Sequence, residues 1–303
     1  MQPTLLERYR GCLLGLACGD AVGTAVEFQP RGSFEPLSDM IGGGPFCLAA
    51  GEWTDDTSMA LCLATSLVEA NQFDARDQME RYVRWWRTGY LSATGECFDI
   101  GVTTAASLRR FEMTGQPYSG DDHPRTAGNG SLMRLAPVVL YCYPDMSRLS
   151  ALCADSSRTT HGAPEAVECC VLLGHRLASA LTGKHLTEIL RESVAGLTEP
   201  KVKALASDSF VRKVKRSIAG SGYAIESLEA ALWCFARTTT FEAAVLAAAN
   251  LGDDADTTAA IAGQLAGAYY GVDAIPSAWL SRLAMRSTIE ALAGKLYVVA
   301  TES

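Results

Sequence analysis

The chain has little that favours strands, no excess of positive charge, no C-x-x-C pair and no uninterrupted apolar span of membrane length. Each absence narrows the function. With 26 Lys and Arg against 34 Asp and Glu, the net charge is -8 over 303 residues. Broad attraction to nucleic-acid phosphates or anionic lipid is therefore excluded as a driving force, and nucleic acid is not an expected partner except as a modified substrate. The ten cysteines are scattered, most of them in apolar runs (Cys12, Cys18, Cys62, Cys142, Cys153, Cys234), with one vicinal pair at Cys169-Cys170. That is reduced, cytoplasmic usage. Glu7, Arg8 and Arg10 precede any apolar stretch, so no secretory signal is expected. The most apolar early segment, Gly11 to Val26, falls short of the ~20 residues of a membrane span and contains Asp20. Repeats, low-complexity segments and linkers are also missing. The longest polar stretch, Gly115 to Gly130, leads straight into a motif and reads as a functional loop. With 48% hydrophobic residues, residues 1–303 are expected to form one domain around a large core.

Helical periodicity dominates what remains. The expected helices are 4–22, 57–70, 74–88, 101–113, 131–141, 147–156, 163–182, 186–194, 201–206, 209–216, 224–236, 240–249, 257–270, 276–282 and 286–295, an all-α fold. Gly11, Gly15, Gly19 and Gly23 fall four apart and make one smooth helical stripe, and Gly263, Gly267 and Gly271 repeat the pattern. Two such stripes are expected to pack backbone to backbone in the core.

Two short acidic clusters each open into an almost wholly apolar run: Trp53-Thr54-Asp55-Asp56-Thr57 and Gly252-Asp253-Asp254-Ala255-Asp256-Thr257-Thr258. A helix apolar on all sides belongs in the interior, so these carboxylates enter a cleft or the core. A helix N-terminus offers each only ~0.3 to 1 kcal/mol. Two like charges about 4 Å apart repel by roughly 4 kcal/mol at an effective dielectric near 20. If the clusters converge, a divalent cation offsets that repulsion, and hard oxygen donors favour Mg, Mn or Ca over Zn or Cu. The alternative is that each Asp and Thr only caps its helix, although a cap needs one acceptor and these strings carry several.

Other segments carry a functional and a structural reading side by side. Gly128-Asn129-Gly130-Ser131-Leu132-Met133-Arg134 can cradle an anion with backbone N–H groups at a helix start, or be an ordinary turn and cap. It lacks the spacing and lysine of a Walker loop. His161, in Thr159-Thr160-His161-Gly162, can donate to a ligand or cap the next helix. Glu27 and Asp99 are single acids among apolar residues, either proton-transfer groups or caps. The basic island of Lys201, Lys203, Arg212, Lys213, Lys215 and Arg216 is a solvated face or a docking patch for a protein.

Taken in order, G-L-A-C-G-D-A-V-G from Gly15 with Glu27-Phe28, then W-T-D-D-T, F-D-I-G from Phe98, G-N-G-S-L-M-R, T-H-G and N-L-G-D-D-A-D-T-T resemble the ADP-ribosylglycohydrolase family, close to its bacterial dinitrogenase-reductase-activating type. The similarity spans residues 10 to about 271. It implies a compact all-α fold with two Mg2+ (Mn2+ is an alternative) in a cleft, and hydrolysis of the bond between ADP-ribose and an acceptor, arginine on a protein in the bacterial type. Carried over by position, Thr54, Asp55, Asp56, Asp254, Asp256 and Thr257 match metal ligands. Asp55 or Asp56 is expected to activate the attacking water, with Glu27 gating or sharing that role. Asp99 and the Gly101 beside it, Asn129, Gly130, Ser131, Met133, Arg134, His161 and Tyr223 match segments that hold the substrate. The chain departs from the family's G-G-D-x-D-T at Asp253, where a glycine is usual; that acid either reaches a metal through water or caps the helix. Other acceptors (serine, an O-acetyl group), a metal-dependent phosphoesterase, a non-catalytic ADP-ribose-binding protein and a structural protein are the alternatives.

Overall fold

The computed structural model describes residues 2–302. It is built of α1 Leu5–Gly23, α2 Asp55–Ala70, α3 Ala75–Thr88, α4 Val102–Thr114, α5 Ala136–Cys142, α6 Leu149–Arg158 and α7 Pro164–Leu181. These are followed by α8 Leu186–Leu190, α9 Pro200–Ala206, α10 Ala224–Arg237, α11 Phe241–Ala249, α12 Ala255–Tyr270, α13 Ser277–Arg282 and α14 Arg286–Glu302. Among the described residues there is no sheet, only isolated bridges such as Gly128 with Tyr223 and Asp121 with His161. None of their helices is long and apolar enough to cross a membrane.

The two glycine stripes meet, and α1 and α12 are the most closely packed pair of helices. A Cβ on Gly19 would fall 2.1 Å from the Ala259 carbonyl oxygen, one on Gly263 2.0 Å from that of Gly15, and one on Gly267 1.9 Å from that of Gly11. The pairing runs antiparallel: Gly11 faces Gly267, while Gly23 lies against Ala255 and Asp256. The end of α1, which carries Asp20 and leads to Glu27, is thereby set against the start of α12, which carries Asp256. α11, α14 and α10 pack around this pair.

Local chemistry accounts for most helix ends. α1 starts in a capping box, in which the Thr4 hydroxyl accepts from Glu7 N at 3.3 Å and the Glu7 carboxylate accepts from Thr4 N at 2.7 Å. Asn71 and Gly89 end α2 and α3 in the left-handed conformation.

Several expected helices differ. The one over 131–141 begins only at Ala136, with Pro137 in its first turn. Residues 131–134 instead form a buried turn in which the Asn129 carbonyl accepts from Leu132 N at 2.8 Å and Met133 N at 3.2 Å. Gln264 of α12 holds it there: its amide donates to the Leu132 and Met133 carbonyls at 3.2 and 2.8 Å, and its carbonyl accepts from Ala136 N at 2.9 Å. The expected helix 209–216 is two 3-10 turns, Ser209–Arg212 and Lys215–Ser217. The helix from 186 stops at Leu190, and that from 286 runs on to Glu302. Within the basic island, exposed Lys213 pairs with partly buried Glu229 at 2.6 Å and exposed Lys201 with partly buried Glu165 at 3.3 Å.

Gly267→Ala is expected to cost at least ~2 to 3 kcal/mol, because a backbone-to-backbone contact has no side chain that can give way. Gly294→Ala, in α14 with nothing near its Cβ position, should add about 0.5 to 1 kcal/mol of helix propensity. Thermal unfolding of the two variants checks the pair; equal midpoints would contradict this packing.

Candidate active site

Asp20 organises the site. Fully buried in the last turn but one of α1, it accepts from Thr54 N at 2.8 Å and Thr54 Oγ1 at 3.0 Å through one oxygen. Through the other it accepts from Thr57 N at 3.0 Å and Thr57 Oγ1 at 2.6 Å. It caps α2 from another helix, and the Thr54 side chain makes no cap bond. Asp55 and Asp56, in the first turn, are thus released from capping, which removes the capping alternative for this cluster. The second cluster behaves alike. Asp254 stands at the N-cap of α12 without a side-chain cap bond, and its carboxylate accepts instead from Asn129 Nδ2 at 2.9 Å.

The two clusters touch. Thr54 Oγ1, 3.0 Å from Asp20, is also 3.2 Å from Asp256 and shares its one proton between them, and Thr257 Oγ1 donates to Asp56 at 3.1 Å. Carboxylate oxygens of Glu27, Asp99 and Asp256 lie within 4.8 Å of one another. This group includes Glu27 and Asp99, which sequence reading gave to proton transfer and substrate contact rather than to a metal.

Charge in this cleft is not offset by the protein. The cavity measures about 350 Å3 and its described lining includes Glu27, Asp55, Asp99, Asp254 and Asp256 but no lysine or arginine. Burial, then Asp99, pushes Glu27 up to about 9, and burial with Asp20 and Asp254 pushes Asp99 up to about 7. Burial and the surrounding acids hold Asp55, Asp56 and Asp256 well above the usual carboxylate range. Asp20 is raised by burial only to about 6, because four hydrogen bonds stabilise its charge.

Three buried carboxylate oxygens, Glu27 Oε2, Asp56 Oδ2 and Asp256 Oδ1, have no hydrogen-bond partner in the protein. Buried acceptors are rarely left so. Orphaned hard oxygens among unneutralised acids fit a divalent cation of the Mg or Mn kind. The hydroxyls of Thr54 and Thr257, while donating to carboxylates, retain lone pairs for the same ion.

A second wall is backbone. Gly101 stands at the N-cap of α4, which has no side-chain cap bond, and Gly101 to Thr104 line the cleft together with Gly128, Asn129, Gly130, Met133 and His161. A cleft-facing helix start is an anion site by its N–H groups and dipole. His161 is buried, and burial followed by Arg134 holds it neutral, its pKa down at about 3. Its ring packs so closely that a Cβ on Gly130 would come within 2.8 Å of it. Thr160 Oγ1 lies 2.8 Å from His161 Nδ1.

Three residues expected to touch substrate do not line the cleft. Arg134, fully buried, donates to the Ser156 carbonyl at 3.1 Å and to the Thr159 and Thr160 hydroxyls at 3.0 and 2.8 Å, and lies 4.5 Å from the centre of the Tyr82 ring. It supports the segment that presents His161. Ser131 is engaged with Ser157 at 2.8 Å and with Cys170 at 3.3 Å. The Tyr223 hydroxyl bonds Glu165 and accepts from Lys201 at 2.8 Å, while its backbone pairs with Gly128. The Asp253 side chain is exposed, and its backbone is left-handed at φ 56°, where a glycine is ordinarily favoured. It does not reach the acids. Sequence reading assigned no role to Asp20 or Gln264; the signal for both was a lone polar group inside an apolar helix.

A larger cavity of about 660 Å3 lies between Tyr141–Leu152 and the end of α14. It has one acid and one arginine in its lining, Asp145 and Arg148, and gathers no buried acids.

A profile of the ADP-ribosylglycohydrolase family matches residues 1–303. The chain belongs to that family and is a hydrolase of glycosyl bonds. It is 46% identical over 292 residues to the ADP-ribosylarginine hydrolase Tri1 of Pseudomonas putida (strain GB-1), covering 96% of this chain and 78% of that protein. To the ADP-ribosyl-(dinitrogen reductase) glycohydrolase of Rhodospirillum rubrum it is 34% identical over 291 residues, covering 94% and 92%. A solved structure described as an ADP-ribosylglycohydrolase-related protein complex superposes with a TM-score of 0.87 at 45% identity, covering 98% of this chain and 99% of that one.

The raised acids set a sign for stability against pH. An acid whose folded pKa is raised favours the folded state at low pH, and that contribution is lost from the ordinary carboxylate range up to the folded value. Here the window closes near 7 for Asp99 and near 9 for Glu27. Metal-free protein should therefore be less stable at about pH 8.5 than at about pH 5. Mg2+ at the higher pH should restore roughly 2.7 kcal/mol at a hundredfold excess over its Kd. Asp256→Asn should raise metal-free stability and lose the Mg2+ response. Thermal melts with EDTA and with Mg2+ check all three; metal-free protein that gains stability with pH would contradict the site.

Proposed function

We propose that the protein hydrolyses the N-glycosidic bond between ADP-ribose and an arginine side chain, reversing mono-ADP-ribosylation of a protein with Mg2+ as cofactor. The observation that carries this reading is the meeting of two acidic first turns, with orphaned oxygens, at a cleft whose described lining has no lysine or arginine. Identity to an ADP-ribosylarginine hydrolase supports the acceptor. Reduced cysteine usage supports a cytoplasmic setting.

Thr54, Asp55, Asp56, Asp254, Asp256 and Thr257 would hold the two Mg2+, with Mn2+ as an alternative. Bound there, the ions supply charge stabilisation and polarise hydroxyls and water. The chain's own groups do the rest. The start of α4 and the turn from Gly128 to Gly130 offer backbone N–H groups to the diphosphate, and His161 flanks them as a neutral ring. Asp99 contacts the distal ribose. Asp55 or Asp56 takes a proton from the attacking water as the anomeric bond opens with oxocarbenium character. Glu27, in the segment leading out of α1, shares that role or gates the bond.

Incubated with arginine-linked and serine-linked ADP-ribosyl peptides, the protein should release free ADP-ribose from the arginine linkage with Mg2+ and not with excess EDTA. Asp55→Ala and Asp56→Ala should abolish turnover with a folded protein in Mg-free buffer, and Glu27→Gln should lower kcat by about 10²- to 10⁴-fold. Mass spectrometry of the released sugar checks each. Release from serine alone, or turnover undiminished by EDTA, would overturn the reading.

A further inference from the structure

Phe28 is an anomaly that the reaction above leaves unused. It follows Glu27 and lines the same cleft, yet is 65% exposed. Its backbone is left-handed at φ 61°, a conformation in which a bulky residue is a genuine outlier. Two backbone bonds impose it: Phe28 N donates to the Asp253 carbonyl at 2.7 Å, and Asp253 N to the Gln29 carbonyl at 2.8 Å. Asp253, itself left-handed, thus ties the Glu27 segment to the loop that leads into Asp254 and Asp256. A ring this exposed recovers little by burial for a strained backbone, and such outliers concentrate at ligand sites.

The ring is also braced. Phe28 meets Phe46 edge-on, centroids 6.5 Å apart at 75°, and Phe46 meets Phe98 at 5.2 Å. Phe98 directly precedes Asp99, so aromatic rings flank both Glu27 and Asp99. The acids at the bottom are almost wholly buried, Asp56 at 0% and Asp256 at 1% exposed, against 65% for Phe28, which sets Phe28 at the mouth. An acceptor that belongs to a folded protein must itself stay at the mouth while the sugar enters. An exposed aromatic ring beside carboxylates suits a planar, weakly hydrated cation. A serine hydroxyl gains nothing from it.

We propose that Phe28 is the specificity-determining residue for the acceptor, its ring receiving the arginine guanidinium at the cleft mouth. The inference rests on the arginine reading given under the proposed function. The test compares wild type with Phe28→Gly and Phe28→Trp on an arginine-linked ADP-ribosyl peptide, with binding of free ADP-ribose measured in parallel. Glycine keeps the left-handed backbone without strain and removes only the ring. Phe28→Gly should raise KM about 2- to 30-fold, the range of a cation–π contact, with kcat changed less and ADP-ribose affinity within about twofold. Phe28→Trp should hold KM at or below the wild-type value. Wild type active on the arginine linkage with an unchanged KM in Phe28→Gly would overturn the inference alone. So would a loss confined to ADP-ribose affinity, which would move the ring to the nucleotide. Wild type silent on the arginine linkage would remove the reading beneath it.

Discussion

The contact on which the site depends is the backbone-to-backbone packing of α1 on α12. Glycines of each helix lie against backbone of the other along the seam, with no room for a side chain between them. The antiparallel register then leaves no freedom about what meets at one end. Asp20, the Glu27 segment and the Asp256 turn are delivered to one small volume, and α2 is brought to the same place because Asp20 is its cap.

Such an arrangement works against folding taken alone. Like charges buried together raise each other's protonation, and a carboxylate without a donor loses its solvation with nothing in return. The structure answers this for Asp20, which receives four hydrogen bonds, and leaves one oxygen each of Glu27, Asp56 and Asp256 without a partner. That contrast separates the acid that builds the site from the acids that face its ligand. The same division holds in the wall of the cleft, where Arg134 and Ser131 are consumed by structure so that His161 and the Gly128 to Gly130 turn can be presented.

How much of this was legible beforehand follows from the kind of signal involved. The long helices could be read from their periodicity. The glycine spacing and the two acidic strings were visible as patterns; the packing of the glycine stripes was expected from them, whereas convergence of the acids stood only as a condition. Illegible was everything set by contacts distant in sequence. Nothing local says that Gln264 will pin Ala136 and so delay α5 until that residue, or that Arg134 will turn inward to Thr159 and Thr160. The short basic segment after Asp208 reads as a helix by composition, yet breaks into 3-10 turns. Nor does the sequence near Phe28 announce that Asp253 will force its backbone left-handed.

The central claim is that this meeting of helix ends exists to hold a divalent cation. Its most direct test is a crystal structure of the protein with Mn2+, recorded at the manganese absorption edge. The account predicts anomalous density between the first turns of α2 and α12, within coordination distance of Asp56 and Asp256. Density confined to surface acids, with Asp56 and Asp256 bonded only to protein and water, would contradict it.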